Sequence, residues 1–150
     1  MRALLIAVAS LALAVGSVGA SGTSGPTVTK LTLDGVAFRP ELALTSDSRS
    51  LGLMSRRRAP ADGMLFVFPE STTGGFWMKN TLVPLTIVFF DADGKRVRRM
   101  SMVPCRDDPC PIYHPGRRYR FALELRASET RLARKLGPLG ALRRLVRQAR

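Results

Sequence analysis

Residues 77–81 carry the side chains with the clearest capacity to bind a ligand. In a strand, Trp77, Lys79 and Thr81 would point to one face. A flat aromatic ring beside an ammonium and a hydroxyl group suits a sugar, a peptide or a small anion, and Asn80 offers both a donor and an acceptor. The structural alternative is that Trp77 and Met78 fill the core, as buried aromatic and apolar residues usually do, while Asn80 caps backbone groups near Pro84.

Two charged residues outside this block would complete such a site. Glu124 lies among apolar neighbours and needs a partner, and Arg56 could donate two parallel hydrogen bonds to it. A salt bridge without chemistry is one alternative, and an enzyme that uses Glu124 or Lys79 as an acid or base is another. His114 is the single histidine, and neither a Gly-x-Ser-x-Gly motif nor a pair of carboxylates in the motif segments is present. We therefore expect a binding module without a cofactor rather than an enzyme.

Cys105 and Cys110 enclose four residues and are the only cysteines. An even number of cysteines in an exported domain predicts a disulfide. The alternative is a zinc site that adds His114 and Asp107 or Asp108 to the two thiolates. Structural zinc sites more often use paired short cysteine spacings, so we expect the disulfide and no metal.

Export is predicted by residues 1–20. Arg2 precedes an apolar run over residues 3–15, and small residues up to Ala20 fit cleavage of a signal peptide near that position. The run is shorter than the roughly 20 residues of a membrane-spanning helix, although an uncleaved anchor is an alternative. The mature protein would begin with a flexible leader, residues 21–27, and would lie in the periplasm, the cell wall or the medium.

The chain is strongly basic, with 24 Lys and Arg residues against 11 Asp and Glu and a net charge of +13. Such a surface attracts polyanions. The expected partners are a small polar ligand or an anionic component of the cell envelope. Residues 128–150 form a basic tail that could contact an anionic membrane surface, but packing of its apolar face on the β domain is the simpler use. Nucleic acid is not expected outside the cell, and the tail has no aromatic residues for base stacking.

About seven short strands are predicted between residues 28 and 127. The clearest alternation of apolar and polar residues covers residues 119–125, and Asp91-Ala92-Asp93-Gly94 predicts a hairpin turn. Residues 36–44 are expected to form one strand, placed at an edge or bulged because of Pro40. Further strands are predicted at residues 27–33, 63–68, 76–81, 85–90 and 95–103. Helices are predicted from residue 45 or 46 to about 54, from 128 to about 136, and from 139 to 148.

Three segments resemble one family of bacteria and archaea, catalogued as domain of unknown function 192. They are Gly52-Leu53-Met54-Ser55-Arg56, Gly63-Met64-Leu65-Phe66-Val67-Phe68 and Phe76-Trp77-Met78-Lys79-Asn80-Thr81 with Pro84-Leu85. The Asp-x-Asp-Gly turn, Tyr113 and Leu123-Glu124 also fit its pattern, and the resemblance covers about residues 28 to 136. It implies a small β-sandwich of jelly-roll character and no established activity. Thr86 departs from the Asp that the family usually has after the Pro-Leu pair.

The sequence as a whole predicts an exported, mainly-β protein. Its fold would be a single small β-sandwich or jelly-roll-like domain, residues 28–127, with a C-terminal helical extension, residues 128–150. Its function would be that of a non-enzymatic binding or accessory module. A protein anchored by its charge to anionic polymer or lipid is a further alternative. The predicted binding residues are Trp77, Lys79, Asn80, Thr81, Arg56, Tyr113 and Glu124.

Overall fold

The computed structural model describes residues 31–150. The predicted signal peptide, the leader and residues 28–30 lie outside the described residues. Ten strands and two helices make up the described part of the chain. In order they are β1 (Leu31–Leu33), β2 (Val36–Phe38), β3 (Glu41–Ala43), α1 (Ser46–Leu51), β4 (Met64–Thr72), β5 (Phe76–Trp77), β6 (Leu85–Phe90), β7 (Arg96–Met102), β8 (Ile112–Tyr113), β9 (Tyr119–Arg126), β10 (Leu136–Gly137) and α2 (Leu139–Gln148).

A five-stranded sheet in the order β3-β4-β9-β6-β7 forms the centre of the fold. Only β3 and β4 run parallel in it, and the other neighbours are antiparallel. Asp91 and Gly94 close the predicted hairpin, where the Gly94 amide donates to the Asp91 carbonyl at 3.1 Å. All six residues of β6 are buried, because both faces of the sheet are covered.

The two faces of the central sheet belong to two hydrophobic clusters. Val88 and Phe90 of β6 pack with the three-stranded sheet β10-β1-β2 and with α2. Ile87 and Phe89 point the other way, toward the two-stranded β5-β8 ribbon and the chain after α1. Because side chains alternate between the two faces along β6 and β9, each of these strands contributes residues to both hydrophobic clusters. This arrangement is a mainly-β single domain with packed sheets, as predicted.

Pro40 divides the strand predicted over residues 36–44 into two strands of different sheets. Val36 to Phe38 form the edge of the three-stranded sheet, and Glu41 to Ala43 form an edge of the central sheet. Because proline has no backbone N–H, it cannot continue a ladder and is tolerated where the chain changes partners. The edge placement was predicted correctly, whereas the change of sheet was not.

The helix predicted over residues 128–136 is wrong. The backbone amides of Arg134 and Lys135 donate to Asp34 Oδ1 at 2.7 and 2.8 Å, and β10 then pairs with β1. These long-range bonds replace the local helical ones. The second helix, α2, has the predicted bounds, and it buries Leu142 and Leu145 in the same cluster as β1 and β9. Residues 128–150 are therefore part of the domain rather than an appended tail.

The helices of the described region are short. Neither α1 nor α2 is long and apolar enough to cross a membrane. The apolar residues of α2 face the sheets, which agrees with the prediction that this segment packs its apolar face on the β domain.

Candidate functional site

Helix α1 places Arg49 over the entrance of a groove. Thr45 caps this helix, because its Oγ1 accepts from the Ser48 amide at 3.1 Å while Ser48 Oγ accepts from the Thr45 amide at 2.9 Å. The Arg49 guanidinium donates to the Leu44 carbonyl at 2.7 Å and lies 5.2 Å from the centre of the Phe68 ring. Desolvation lowers the pKa of Arg49 from its ordinary value, but an arginine remains charged.

Glu124 lies within β9 and is only 5% exposed. Among residues 31–150, its Oε2 atom has no hydrogen-bond partner. Burial raises the pKa of the Glu124 carboxyl to about 8, because desolvation penalises the charged form. The group is therefore mainly protonated at neutral pH and can donate a hydrogen bond.

The pairing expected between Arg56 and Glu124 is wrong. Arg56 Nη1 lies 2.7 Å from Glu41 Oε2 instead, in a half-exposed ion pair. Glu41 belongs to the edge strand β3, next to the turn that carries Arg56, whereas Glu124 lies two strands further into the sheet. The nearer and more exposed carboxylate therefore takes the arginine.

A small pocket of about 30 Å³ opens against Glu124. Gly52, Phe66, Phe76 and Trp77 line it together with the carboxyl group. Its volume suits one or two water molecules or a single polar group of a ligand. The pocket adjoins a wider groove of about 290 Å³, with which it shares Arg49, Ser50, Phe76 and Trp77.

Trp77 stands at the mouth of this pocket and is 47% exposed. Its neighbours point inward: Met78 is buried, and the Phe76 ring meets the Phe66 ring edge-on at 5.0 Å. The interpretation of Trp77 as core filling is therefore wrong. Lys79 Nζ lies 5.8 Å from the centre of the indole ring.

The remaining predicted residues lie around this block but do not line the pocket. Lys79 forms an ion pair with Asp108. The strand ends at Trp77, and Asn80 is an exposed turn residue with φ 56° whose carbonyl accepts from the Ser55 amide at 2.8 Å. Thr81 is buried, and Tyr113 pairs with Phe76 across β5 and β8. The structure thus brings Trp77 and Glu124 to one pocket and leaves the others at its periphery.

The cysteine pair supports the same region from outside. The sulfur atoms of Cys105 and Cys110 are 2.17 Å apart, which is the distance of a disulfide. The Cys105 amide donates to the Met78 carbonyl at 3.3 Å, so the disulfide loop is attached to the chain just after Trp77. Within residues 31–150, no three metal-ligating side chains lie close enough to share an ion.

Comparison with known proteins shows the family of the chain. The sequence model of the family DUF192, described as "Uncharacterized ACR", matches residues 29–136. The chain belongs to the DUF192 family. No curated protein matches it significantly.

Two solved structures resemble this DUF192 chain. One, from Sinorhizobium meliloti 1021, is described as a putative transcription regulator; it is 30% identical over 77% of this chain and 97% of its own, with a TM-score of 0.66. The other is a protein of unknown function from Novosphingobium aromaticivorans DSM 12444; it is 26% identical over 75% of this chain and 89% of its own, with a TM-score of 0.60. Both descriptions concern those proteins.

The position at which DUF192 members usually have Asp is not part of the pocket. Thr86 pairs with Leu125 across the sheet, whereas Glu124 pairs with Ile87. Because side chains alternate along a strand, Thr86 and Glu124 lie on opposite faces of the central sheet. Thr86 therefore does not contribute to the surroundings of Glu124.

Sequence reasoning missed several residues that line the groove. Phe76 and Tyr119 were assigned to strands but not to a site, although both carry aromatic rings next to predicted site residues. Arg49 gave no signal, because a single arginine in a short polar helix resembles an ordinary surface residue. The Tyr119 hydroxyl donates to the Gly74 carbonyl at 2.9 Å and so fixes one wall of the groove.

Proposed function

We propose that the protein binds a small, uncharged polar ligand, of which a saccharide is the best example, in the groove between Trp77 and Glu124. One observation carries the proposal. The buried Oε2 atom of Glu124 lacks a partner among the described residues and borders a pocket whose other wall is an exposed indole ring.

The energetic argument concerns that oxygen. A buried polar atom without a hydrogen bond destabilises a fold by about 1–3 kcal/mol, and few such atoms occur in native proteins. A glutamate kept only for structure would have a partner, as Glu41 and Glu129 have in Arg56 and Arg131. A ligand atom in the pocket would supply the missing bond and offset the cost.

The chemistry of the walls indicates the class of ligand. Since the pKa of Glu124 is raised to about 8, its protonated carboxyl can donate to a hydroxyl or carbonyl oxygen at neutral pH. Trp77 offers a flat apolar face, while Arg49 and Ser50 add polar groups at the entrance. A sugar ring presents one apolar face and several oxygens, which fits this combination.

Binding is favoured over hydrolysis by the number of carboxyl groups. Glycosidases generally need two carboxyl groups that flank the scissile bond. Glu124 is the only carboxyl group in the lining of the pocket and the adjoining groove. The site therefore suits recognition, with an acid–base enzyme that uses Glu124 as the alternative.

Trp77 is the single tryptophan of the chain, so its fluorescence reports directly on the site. We expect a saturable change when a soluble mono- or disaccharide from a defined panel is titrated at pH 7. Glu124→Leu removes the donor at similar volume and should weaken binding at least tenfold. The matched control, Glu70→Leu, replaces an exposed glutamate outside the groove and should leave the affinity unchanged. Absence of a response to every sugar, or equal binding by both variants, would contradict the proposal.

We also propose that binding takes place outside the cytoplasm, on the strength of the apolar run and small residues in segment 1–20. The test is the intact mass of protein recovered from the envelope or the medium of expressing cells. A mature N-terminus near Ser21 is expected, and protein that keeps Met1 in the cytoplasm would exclude export.

A further inference from the structure

A second cleft, of about 540 Å³, lies between the loop after α1 and the end of β9. Three arginines line it: Arg57 and Arg58 from the loop, and Arg126 from the strand. Ser128 and Ala59 lie beside them. None of these residues borders the pocket at Glu124 or its groove, so the cleft is a separate site.

The positive charge of this cleft is not neutralised within the described chain. Its lining contains no carboxyl group. Neither Arg57, Arg58 nor Arg126 forms an ion pair with any of residues 31–150. Arg126 makes one long hydrogen bond, from Nε to the Ala59 carbonyl at 3.4 Å, which holds its guanidinium near the cleft.

Two other arginine-rich clefts differ in this respect. Beside β7, Arg96 and Arg99 already donate to backbone carbonyls at 2.6–2.7 Å. Beside α2, Asp93 lines the cleft together with Arg143 and Arg147 and lowers its positive charge. Within residues 31–150, the cleft beside β7 thus has one arginine without an ion pair or a side-chain hydrogen bond, Arg98, whereas none of the three arginines in the cleft at Arg126 forms an ion pair.

We propose that the cleft at Arg57, Arg58 and Arg126 binds a phosphate group that carries two or more negative charges. Guanidinium groups present pairs of parallel N–H donors that match phosphate oxygens. Three arginines together offer more donors than the two oxygens of a carboxylate can accept, which favours a phosphate group as the ligand. The Ser128 hydroxyl is a further donor beside them. The phosphate could belong to a soluble compound or to a lipid headgroup, since both present the same oxygens.

The first experiment is a calorimetric titration of the full-length protein with pyrophosphate at constant ionic strength. We expect one saturable site. The double substitution Arg57→Gln/Arg126→Gln should weaken binding at least tenfold. The matched control, Arg117→Gln/Arg144→Gln, removes the same charge from exposed positions outside the cleft and should change the affinity less than twofold. Thermal unfolding of all variants checks that each is folded.

A second experiment identifies the source of the phosphate. Sedimentation with vesicles of phosphatidic acid, whose terminal phosphate can carry two charges, and phosphatidylcholine is compared between the same two double variants. Loss of vesicle binding only in Arg57→Gln/Arg126→Gln would assign the cleft to a lipid headgroup. Equal vesicle binding by both variants, with pyrophosphate binding lost in one, would assign it to a soluble phosphate.

Two results would overturn the inference. If both double variants weaken pyrophosphate binding equally, the attraction comes from the overall charge rather than from the cleft. If the unchanged protein shows no saturable binding, the arginines form no phosphate site. Neither result bears on sugar binding at Trp77, because the two sites share no lining residue.

Discussion

Glu124 occupies a position at which an apolar residue would be easier to bury. Its cross-strand neighbours on β4 and β6 are Met64 and Ile87, both buried and apolar. Burial of an acid in such surroundings favours its protonated form. Through this residue, the pH affects both the stability of the fold and the ability of the pocket to donate a hydrogen bond.

This coupling predicts a pH dependence of stability. The pKa of Glu124 is about 8 in the folded protein against an ordinary value of 4.5, so the folded state binds the proton more tightly. The free energy of unfolding should therefore fall as the pH rises from about 4.5 to about 8, and it should not change further above that range through this group. Each unit of pKa difference corresponds to about 1.4 kcal/mol.

The substitution Glu124→Gln isolates this effect, because the amide resembles the protonated acid but does not titrate. We expect the variant to match the unchanged protein near pH 5 and to be more stable at pH 8.5. Urea unfolding between pH 5 and 9 measures both, with Glu70→Gln as an exposed control. A slope that persists unchanged in Glu124→Gln would show that Glu124 does not titrate in this range.

At the scale of the elements, the chain just before β4 packs tightly against β9. Gly63 has φ 75°, and a Cβ atom there would lie 2.1 Å from the Glu124 carbonyl oxygen. The close approach places backbone against backbone, so neither side can move without disturbing the strand that carries Glu124. Gly35 also has a positive φ, of 84°, but nothing lies within 4 Å of a Cβ atom there.

Substitution of these two glycines distinguishes the cost of backbone strain from the cost of steric overlap. Gly35→Ala should destabilise the protein by about 1–2 kcal/mol, the cost of the left-handed conformation alone. Gly63→Ala should cost about 1–3 kcal/mol more, because it adds overpacking. Chemical unfolding of both variants measures the difference, and equal losses would mean that the sheet relaxes around the added methyl group.

The elements also show how far the sequence could predict the fold. Strand β6 was predicted with its observed bounds, since five of its six residues are apolar and turn residues stand on both sides. Strands β8 and β10 contain two residues each and are too short to show any period. The prediction of a helix over residues 128–136 was wrong because Asp34, about 100 residues away, accepts hydrogen bonds from the backbone amides of Arg134 and Lys135.

The candidate site was predictable to a similar extent. Trp77 and Glu124 were proposed as binding residues because an indole and an acid in apolar surroundings are both informative, and that role stays a prediction. The structure adds that they line one pocket. Arg56 was assigned to Glu124 on charge, but the local path of the chain brings it to Glu41. Both the shared pocket of Trp77 and Glu124 and the pairing of Arg56 with Glu41 depend on which residues are close in space. The local sequence does not show this.

At the scale of the whole molecule, α2 closes the core. Leu142 is 1% exposed and packs with β1 and β9, whereas Leu139 at the start of the helix is 38% exposed. The C-terminal residues that looked like an appended basic segment thus complete the hydrophobic layer between the two larger sheets.

A pair of substitutions on α2 tests this. Leu142→Ala should lower the free energy of unfolding by about 2–5 kcal/mol, as for other buried leucines. Leu139→Ala should have less than half of that effect. Differential scanning calorimetry measures both, and a single cooperative transition is expected for the unchanged protein. Equal small effects would mean that α2 contributes little to the core.

Strand β7 is the last strand of the central sheet, and Arg96, Arg98 and Arg99 lie on it. An uncovered sheet edge is a template on which a second copy can add its own strand, which is a common first step of aggregation. Residues 129–135 run along this edge instead: the Arg96 amide donates to the Arg134 carbonyl at 2.9 Å, and the Arg99 guanidinium donates to the Glu129 and Arg131 carbonyls at 2.7 Å. The arginines of β7 therefore fix the covering segment against the edge at which a neighbouring molecule would add a strand, and this opposes aggregation through β7.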